Sequence, residues 1–288
     1  MTHTPTTIRR LLSDNGLDPS RALGQNFVAD ANTVRRIARL ARVGAGDRVI
    51  EIGAGLGSLT LALLETGAEV TAVEIDRHLV PILREVVEPA GATVVHGDAM
   101  TLDWRDLLGP ADPARPWVLV ANLPYNIATP LVLDLLEGVP QIARMLIMVQ
   151  LEVGERLAAG PGDRAHGIPS VKATWWADVR VVGKVSPTVF VPAPRVESAL
   201  VDIQRHPAAG DDDERALVFG LVETGYNQRR KMLRRSLAAS VPSEAFVAAG
   251  VRPEARAEEL SLDDWRRLAR AISGDAAPHG DGESPQNP

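Results

Sequence analysis

The chain has 288 residues, of which 45% are hydrophobic, 24% charged and 4% aromatic, with a formal net charge of −6 and no cysteine. This length and apolar content suit one large domain or a domain with a smaller appendage, and they exclude disorder as the main state. The absence of cysteine excludes disulfides, thiolate zinc sites, iron–sulfur clusters and any sulfur nucleophile. The acidic balance does not by itself indicate a nucleic-acid partner, because such proteins usually carry a basic surplus.

The N-terminal residues predict neither a signal peptide nor a membrane anchor. Met1–Arg10 contains basic residues, but no apolar run of signal-peptide length follows it. No stretch of the chain approaches the roughly 18 consecutive apolar residues of a membrane helix. We therefore expect a cytoplasmic protein whose residues 1–22 are flexible.

Short runs rich in Val and Ile alternate with segments of helical spacing, such as Leu59–Glu65 and Leu79–Val87. The predicted strands are Arg48–Gly53, Val70–Ile75, Thr93–Asp98, Trp117–Leu123 and Met145–Gln150. Runs that are apolar on both faces and separated by helices indicate a parallel sheet covered on both sides. The pattern predicts an open α/β fold.

Beyond Gln150 the alternation of short apolar strands and helical segments ends. Thr174–Val185 and Ser198–Gln204 alternate without a helix between them, which predicts an antiparallel edge of the sheet. The small, acidic stretch Pro207–Glu214 predicts a domain boundary. The rest has helical spacing, with Ser261 as a cap, in the segments Leu217–Thr224, Gln228–Ala239, Glu244–Ala249 and Asp263–Ile272.

This division predicts three parts of the chain. Residues 1–206 form the α/β domain and residues 207–273 form a smaller helical domain. Gly274–Pro288 is rich in Gly, Pro and acidic residues, and we expect a disordered tail there.

A glycine-rich segment follows the first predicted strand as Glu51-Ile-Gly53-Ala-Gly55-Leu-Gly57. Glycines let the backbone turn sharply and let a ligand approach closely. A dinucleotide site requires G-x-G-x-x-G, but residue 58 is Ser, which argues against a bound pyrophosphate. The segment resembles motif I of class I S-adenosylmethionine methyltransferases, where this loop holds the amino-acid part of the cofactor.

Two carboxylates end the next two predicted strands. Glu74 is placed to accept hydrogen bonds from both ribose hydroxyls, and Asp98 is placed to accept one from the adenine amino group. Either residue alone is better explained as a solvated carboxylate at a strand end. Since ligands of open α/β sheets bind beyond the carboxyl ends of the strands, the three strand ends together favour a cofactor site.

The fourth predicted strand ends in Asn122-Leu-Pro-Tyr125, a motif of methyltransferases that modify a nitrogen attached to a planar conjugated group. The lone pair of adenine N6 is delocalised into the ring and is a poor nucleophile. The Asn122 amide oxygen and the Leu123 backbone carbonyl can accept its two N–H bonds and favour tetrahedral geometry, so that catalysis depends on placement and electrostatics. Tyr125 offers a ring for stacking on the base.

Phe190 lies in the proline-framed segment Val189–Ser198, in a chain with only eleven aromatic Phe, Trp and Tyr residues. We interpret it as a second stacking ring, since each base–aromatic stack contributes roughly 1–3 kcal/mol. Two such rings would offset the cost of extruding a base. The alternative is that Phe190 anchors the loop in the core.

Several segments together resemble one family. They are Leu23–Val28, Glu51–Gly57, Gly97–Met100, Asn122–Pro130, Phe190–Ser198 and Tyr226–Lys231. In this order they resemble the bacterial rRNA adenine N6-dimethyltransferases, which dimethylate two adjacent adenosines in the 3′-terminal hairpin of 16S rRNA. The resemblance implies a class I fold with a helical C-terminal domain, S-adenosylmethionine as cofactor, and 16S rRNA in small-subunit assembly intermediates as partner. We expect a monomer without a metal.

The resemblance also implies which residues line the cofactor site. They are Asn26, Val28, Gly53, Gly55, Glu74, Asp98 and Asn122. The family often has leucine at the position of Val28, which is harmless if the contact is through the backbone. In place of a common Tyr-Gly-Arg-Leu-Ser type segment the chain has His166–Ser170, so no RNA contact is assigned there.

The segment Gln228–Leu237 contains five basic residues and no acid. They are Arg229, Arg230, Lys231, Arg234 and Arg235. Such a run is often only a solvated helix face. Next to a base-modifying site, contact with RNA phosphates is the better interpretation, and the seven arginines among the first 42 residues suggest a second basic patch.

Other functions stay open. Macrolide-resistance methyltransferases of 23S rRNA share the chemistry, but usually lack this combination of Asn-Leu-Pro-Tyr and Gln-Arg-Arg-Lys. DNA-adenine and protein-glutamine methyltransferases commonly have Asn-Pro-Pro-Tyr, and Leu123 argues against them. A ribosome-assembly factor that binds RNA without activity is a further alternative.

Overall fold

The computed structural model describes residues 2–20 and 22–274. The helices are α1 (Pro5–Asp14), α2 (Ala31–Ala41), α3 (Ser58–Leu64), α4 (Val80–Val87), α5 (Trp104–Leu108), α6 (Ala128–Gly138), α7 (Leu151–Ala158), α8 (Ile168–Thr174), α9 (Asp212–Asn227), α10 (Leu233–Ser236), α11 (Ser243–Ala248) and α12 (Leu262–Ser273). The strands are β1 (Phe27–Val28), β2 (Arg48–Ile52), β3 (Glu69–Glu74), β4 (Thr93–His96), β5 (Trp117–Asn122), β6 (Ile142–Gln150), β7 (Ala177–Val185), β8 (Phe190–Val191) and β9 (Ser198–Arg205).

A seven-stranded sheet with the order β4-β3-β2-β5-β6-β9-β7 forms the centre of the first unit. Strands β2 to β6 pair in parallel, and β9 and β7 add an antiparallel edge, so both predictions from the sequence are confirmed. The chain runs outward from β2 to β4 and then returns to the other side of β2 as β5. This reversal creates the switch point at which open α/β sheets bind ligands.

The chain divides into two compact units, and residues 160–171 belong with the second. This differs from the predicted division, which placed them in the first domain, whereas the later crossing after Ala208 lies close to the predicted break. Gly162 donates its N–H to the Glu258 carbonyl at 2.8 Å, and the His166 ring lies 3.1 Å from the same oxygen and from the Tyr226 hydroxyl. These partners follow 60 to 96 residues later, so spacing could not predict the contact.

Part of the segment predicted to be flexible, residues 2–20, contains the helix α1. Thr4 caps this helix by accepting a hydrogen bond from the Thr7 N–H. Ile8 and Leu12 are buried in a cluster with Phe27 and Leu56. Burial of this apolar face holds α1 against the first unit.

In the second unit the acidic stretch begins a helix. Asp211 caps α9 by accepting from the Glu214 N–H at 2.8 Å, and acids in the first turn complement the helix dipole. The capping box at Ser261 and Asp264 confirms the predicted start of the last helix. The prediction of one helix over residues 228–239 is wrong, because α9 ends at Asn227 and a turn separates it from the four-residue α10.

Within the described residues no helix has the length and apolar content needed to cross a membrane. The predicted disordered tail, Gly274–Pro288, lies outside the described residues from 275 onward.

Candidate active site

A cleft with an empty volume of about 660 Å³ opens at the carboxyl ends of β2, β3 and β5. Six of the residues predicted to line the cofactor site do line this cleft. They are Asn26, Val28, Gly53, Gly55, Glu74 and Asn122.

The floor of the cleft is the glycine loop that joins β2 to α3. Gly55 has φ of 58°, and a Cβ on it would lie 3.0 Å from the Phe27 ring. Gly53 has φ of 72°, and a Cβ there would lie 3.6 Å from the Asn122 carbonyl oxygen. Both positions have left-handed backbone, in which a larger side chain would be strained, and at Gly55 a side chain would also press against the Phe27 ring.

Glu74 is buried at the last residue of β3, and each of its carboxylate oxygens accepts a backbone hydrogen bond. Gly55 N–H donates to Oε2 at 2.7 Å, and Asp76 N–H donates to Oε1 at 2.9 Å. Burial raises the pKa of Glu74, while these bonds act in the opposite direction. The two bonds fix the carboxylate while leaving it further lone pairs for a ligand with paired hydroxyls.

Glu51 is a second buried carboxylate in the cleft wall and is 2% exposed. Thr60 Oγ1 donates to its Oε2 at 2.5 Å. Burial raises the pKa of Glu51 to about 8, and the neighbouring Glu74 adds to the shift. The glycine motif alone does not indicate a role for Glu51, since the burial of this residue depends on the packing of α3 over it.

Asn122 ends β5 beside the glycine loop. Its Nδ2 donates to the Asn26 carbonyl at 3.1 Å, which orients the amide and leaves Oδ1 as its acceptor atom. Leu123, the next residue, is buried, and its N–H donates to the Met148 carbonyl at 3.0 Å. The turn is thereby held by β6 on one side and by the segment before β1 on the other.

The structure does not bring every predicted residue to the cleft. Asp98 lies two residues beyond β4, where its Oδ1 accepts from the Met100 N–H at 2.9 Å, and it is not among the lining residues. Tyr125 is half-buried and its hydroxyl lies 3.4 Å from Ser198 Oγ. Leu123 and Tyr125 are also outside the lining set.

Phe190 lies in the core. It is 4% exposed, pairs with Val28 across β1 and β8, and packs in the same apolar cluster as Val28. A base can stack on this ring only if the ring leaves these contacts. The placement corrects the expectation of a presented stacking ring and favours the alternative of a loop anchor.

The predicted RNA-contacting residues lie in the turn after α9 and in α10, and all five are exposed. Arg229 pairs with Glu258 at 2.7 Å and Arg234 pairs with Glu254 at 3.3 Å. For Arg230, Lys231 and Arg235, the described part of the chain provides no ion-pair partner. These three cations are therefore the most available for an anionic partner.

Across the residues that the structure describes, no group of three or more His, Asp or Glu side chains could hold a metal ion. The chemistry of the cleft consists of two buried carboxylates, an oriented amide and a glycine loop. This set suits a ligand that has hydroxyls and positive charge.

Comparisons with known proteins agree with these features. Residues 18–273 match the model of the family described as "Ribosomal RNA adenine dimethylase". A "Ribosomal RNA small subunit methyltransferase A" of Leifsonia xyli subsp. xyli is 50% identical over 277 residues, covering 92% of this chain and 96% of that protein. The protein of the same name from Streptomyces coelicolor is 48% identical over 277 residues, with 92% and 95% covered.

Solved structures also match. The 23S rRNA methyltransferase ErmE superposes with a TM-score of 0.66 at 26% identity, covering 86% of this chain and 100% of that one. A dimethyladenosine transferase from Plasmodium falciparum gives a TM-score of 0.68 at 23% identity, with 83% and 94% covered, which supports the shared methyltransferase fold. The family match spans the cleft, the Asn122 turn and the helical unit, and the chain belongs to the ribosomal RNA adenine dimethylase family.

Proposed function

We propose that the chain dimethylates the N6 amino groups of two adjacent adenosines in the 3′-terminal hairpin of 16S rRNA, with S-adenosylmethionine as methyl donor. The observation that carries this proposal is the Asn122 amide, which the Asn26 carbonyl orients at the edge of the cleft. The relatives that are 50% and 48% identical are named for the small ribosomal subunit, which favours that substrate over 23S rRNA.

The residues of the cleft fit this cofactor. Glu74 would accept the ribose hydroxyls, because both of its oxygens are fixed by backbone N–H groups and retain free lone pairs. The glycine loop leaves room beside Glu51 for the amino-acid part, whose ammonium group would favour the charged form of that carboxylate. Asp98, two residues beyond the adjoining strand β4 and outside the lining of the cleft, would accept a hydrogen bond from the adenine amino group. S-adenosylmethionine supplies an electrophilic methyl group on a sulfonium.

The chain's own residues would act on the target nitrogen. Asn122 Oδ1 and the Leu123 carbonyl would accept the two N6–H bonds and so direct the lone pair of N6 out of the ring plane. Because the amide is already held by Asn26, no reorganisation is required when charge develops. Tyr125 would stack on the base, while Phe190 supports the loop from the core.

RNA binding is assigned to the basic turn, which is defined as residues 229–235. Arg230, Lys231 and Arg235 are exposed and would contact phosphates, and the paired Arg229 and Arg234 would contribute less. Small-subunit assembly intermediates are the proposed partner.

The test is incubation with tritiated S-adenosylmethionine and small ribosomal subunits that lack the modification, followed by nucleoside analysis. We expect label in N6,N6-dimethyladenosine from small subunits, with large subunits as the control. Label confined to large subunits would favour the 23S alternative. Binding of small subunits without any label would favour the assembly factor without activity.

A further inference from the structure

Gln25 lies in the segment Leu23–Val28, one of the segments that carry the family resemblance, and the motif alone indicates no role for its side chain. Its Oε1 accepts from the Ser20 N–H at 2.7 Å, and its own N–H donates to the Ser20 carbonyl at 3.0 Å. Its Nε2 donates to Asp76 Oδ2 at 2.7 Å, across 51 positions of the chain. The side-chain amide therefore bonds at both ends, to Ser20 within its own turn and to Asp76, which follows the cleft-lining residues Glu74 and Ile75.

Asp76 is itself fixed. Its Oδ1 accepts from the His78 N–H at 2.9 Å, which leaves Oδ2 for Gln25. Its backbone N–H donates to Glu74 Oε1, so the residue that receives Gln25 also orients the Glu74 carboxylate. A bond to Asp76 therefore ties the Gln25 side chain to the group that is proposed to hold the ribose.

The residues around Gln25 contact the other two walls of the cleft. The Asn26 carbonyl accepts from Asn122 Nδ2 at 3.1 Å. A Cβ on Gly24 would lie 3.3 Å from Pro124 Cβ, and the Phe27 ring covers Gly55. The loop of residues 22–28, named the Gln25 loop, thus touches the Glu74 side, the glycine loop and the Asn122 turn.

We infer that Gln25 is a positioning residue. Its bond to Asp76, named the latch, fastens the Gln25 loop across the cleft and so holds the Glu74 carboxylate and the Asn122 amide in one arrangement. The inference rests on the proposed function only for the identity of the cofactor. Loss of the bond releases the Asn26 carbonyl together with the loop. Cofactor affinity and the orientation of Asn122 should therefore fall together.

Reversing the polarity of this bond gives a sharp test. Gln25→Glu keeps an oxygen for the Ser20 N–H but places a second carboxylate opposite Asp76. Asp76→Asn keeps an oxygen for the His78 N–H but places a second amide NH2 group opposite the NH2 of Gln25. In the double variant the introduced amide can donate to the introduced carboxylate, so the bond is restored with the opposite direction. Asn32→Asp, at an exposed position of α2, controls for the added charge.

Two measurements apply: the Kd for S-adenosylmethionine by calorimetry, and amide hydrogen exchange of residues 22–28 without cofactor. We expect each single variant to raise the Kd about tenfold or more and to speed exchange in the loop, because a hydrogen bond to a charged group is lost. In the double variant the Kd for S-adenosylmethionine should return to within about threefold of the value for the unaltered chain. The inference would be overturned if the two losses of cofactor affinity added in the double variant, or if amide exchange of the loop were unchanged in the single variants.

The exchange measurement needs no cofactor, so the two proposals fail separately. If the unaltered chain does not bind S-adenosylmethionine, the proposed function is wrong, while the exchange rates still report on the latch. If the unaltered chain binds it and the single variants bind equally well, the latch is wrong and the proposed function stands.

Discussion

Asn122 depends on a neighbour that precedes it by 96 residues. The Asn26 carbonyl accepts one amide hydrogen and thereby determines which atom of the side chain is presented as an acceptor. An amide oriented in advance stabilises a developing charge better than one that must turn during the reaction.

Replacing Asn122 with Ala should abolish most methyl transfer while leaving RNA binding intact. We expect kcat to fall about 100-fold or more, the range for loss of one preorganised hydrogen-bonding group. The measurement is single-turnover methylation of small subunits, with filter binding of RNA and calorimetry of the cofactor alongside. Full activity in this variant would contradict the proposed mechanism.

Glu51 makes the stability of the first unit depend on pH. Its pKa rises from about 4.5 in an unfolded chain to about 8 when buried, so the folded state favours the protonated form. The stabilisation is fully present below about pH 4.5 and is lost as the pH rises to about 8. Its size is on the order of 5 kcal/mol as an upper bound.

Glu51→Gln should therefore stabilise the cofactor-free chain more at pH 8 than at pH 5. The amide keeps an oxygen for the Thr60 hydroxyl and has no charge to bury. Thermal unfolding at both pH values measures the difference, and Glu69→Gln on the exposed end of β3 is the matched control. An equal change in Tm at the two pH values would show that Glu51 does not titrate in this range.

At the scale of elements, α1 is held by its buried face and by a polar contact beside it. Ile8 is fully buried among residues that include Leu56 of the glycine loop. His3 Nε2 lies 2.7 Å from the Leu56 carbonyl, and burial lowers the pKa of this imidazole. Through these contacts with Leu56, α1 and the residues before it support the glycine loop. The helix precedes the region that matches the family, which begins at residue 18.

Truncation of Ile8 to Ala should cost about 2–5 kcal/mol of unfolding free energy, because a cavity remains where the side chain was. Urea unfolding measures this loss. The exposed neighbour Arg9→Ala should change stability by less than about 0.5 kcal/mol. If the two variants were equally stable, α1 would not be packed as described.

At the scale of the whole molecule, the net charge of −6 gives no indication of the local positive charge of the basic turn. Several acidic residues have partners close by in the structure. Asp211 caps α9, and Glu254 and Glu258 form ion pairs with arginines. Exposed cations without such partners attract phosphates regardless of the total charge.

Reversal of Lys231 and Arg235 to Glu should weaken binding to small subunits and lower the slope of log Kd against log salt by about 1–2. Reversal of Arg84 and Arg105, which are exposed in the first unit, changes the net charge equally. Binding titrations at several salt concentrations compare the two double variants. Equal slopes would show that total charge, and not the basic turn, governs binding.

Local patterns in the amino-acid sequence were enough to predict the strands, the order of the motifs and the family. Alternation, helical spacing and glycine placement are local properties, so β2 to β6, the antiparallel edge and the cap at Ser261 could be predicted within a few residues. The end of each strand placed Glu74 and Asn122 at one edge of the sheet, because carboxyl ends of parallel strands meet there.

The burial of particular side chains and the identity of their distant partners depend on the tertiary structure. Phe190 enters the core because β8 pairs with β1, and residues 160–171 join the second unit through Glu258 and Tyr226. The role of Gln25 depends on Asp76 in the same way. Such contacts join positions 51 to 162 residues apart, and local pattern contains no information about which of many distant groups will meet.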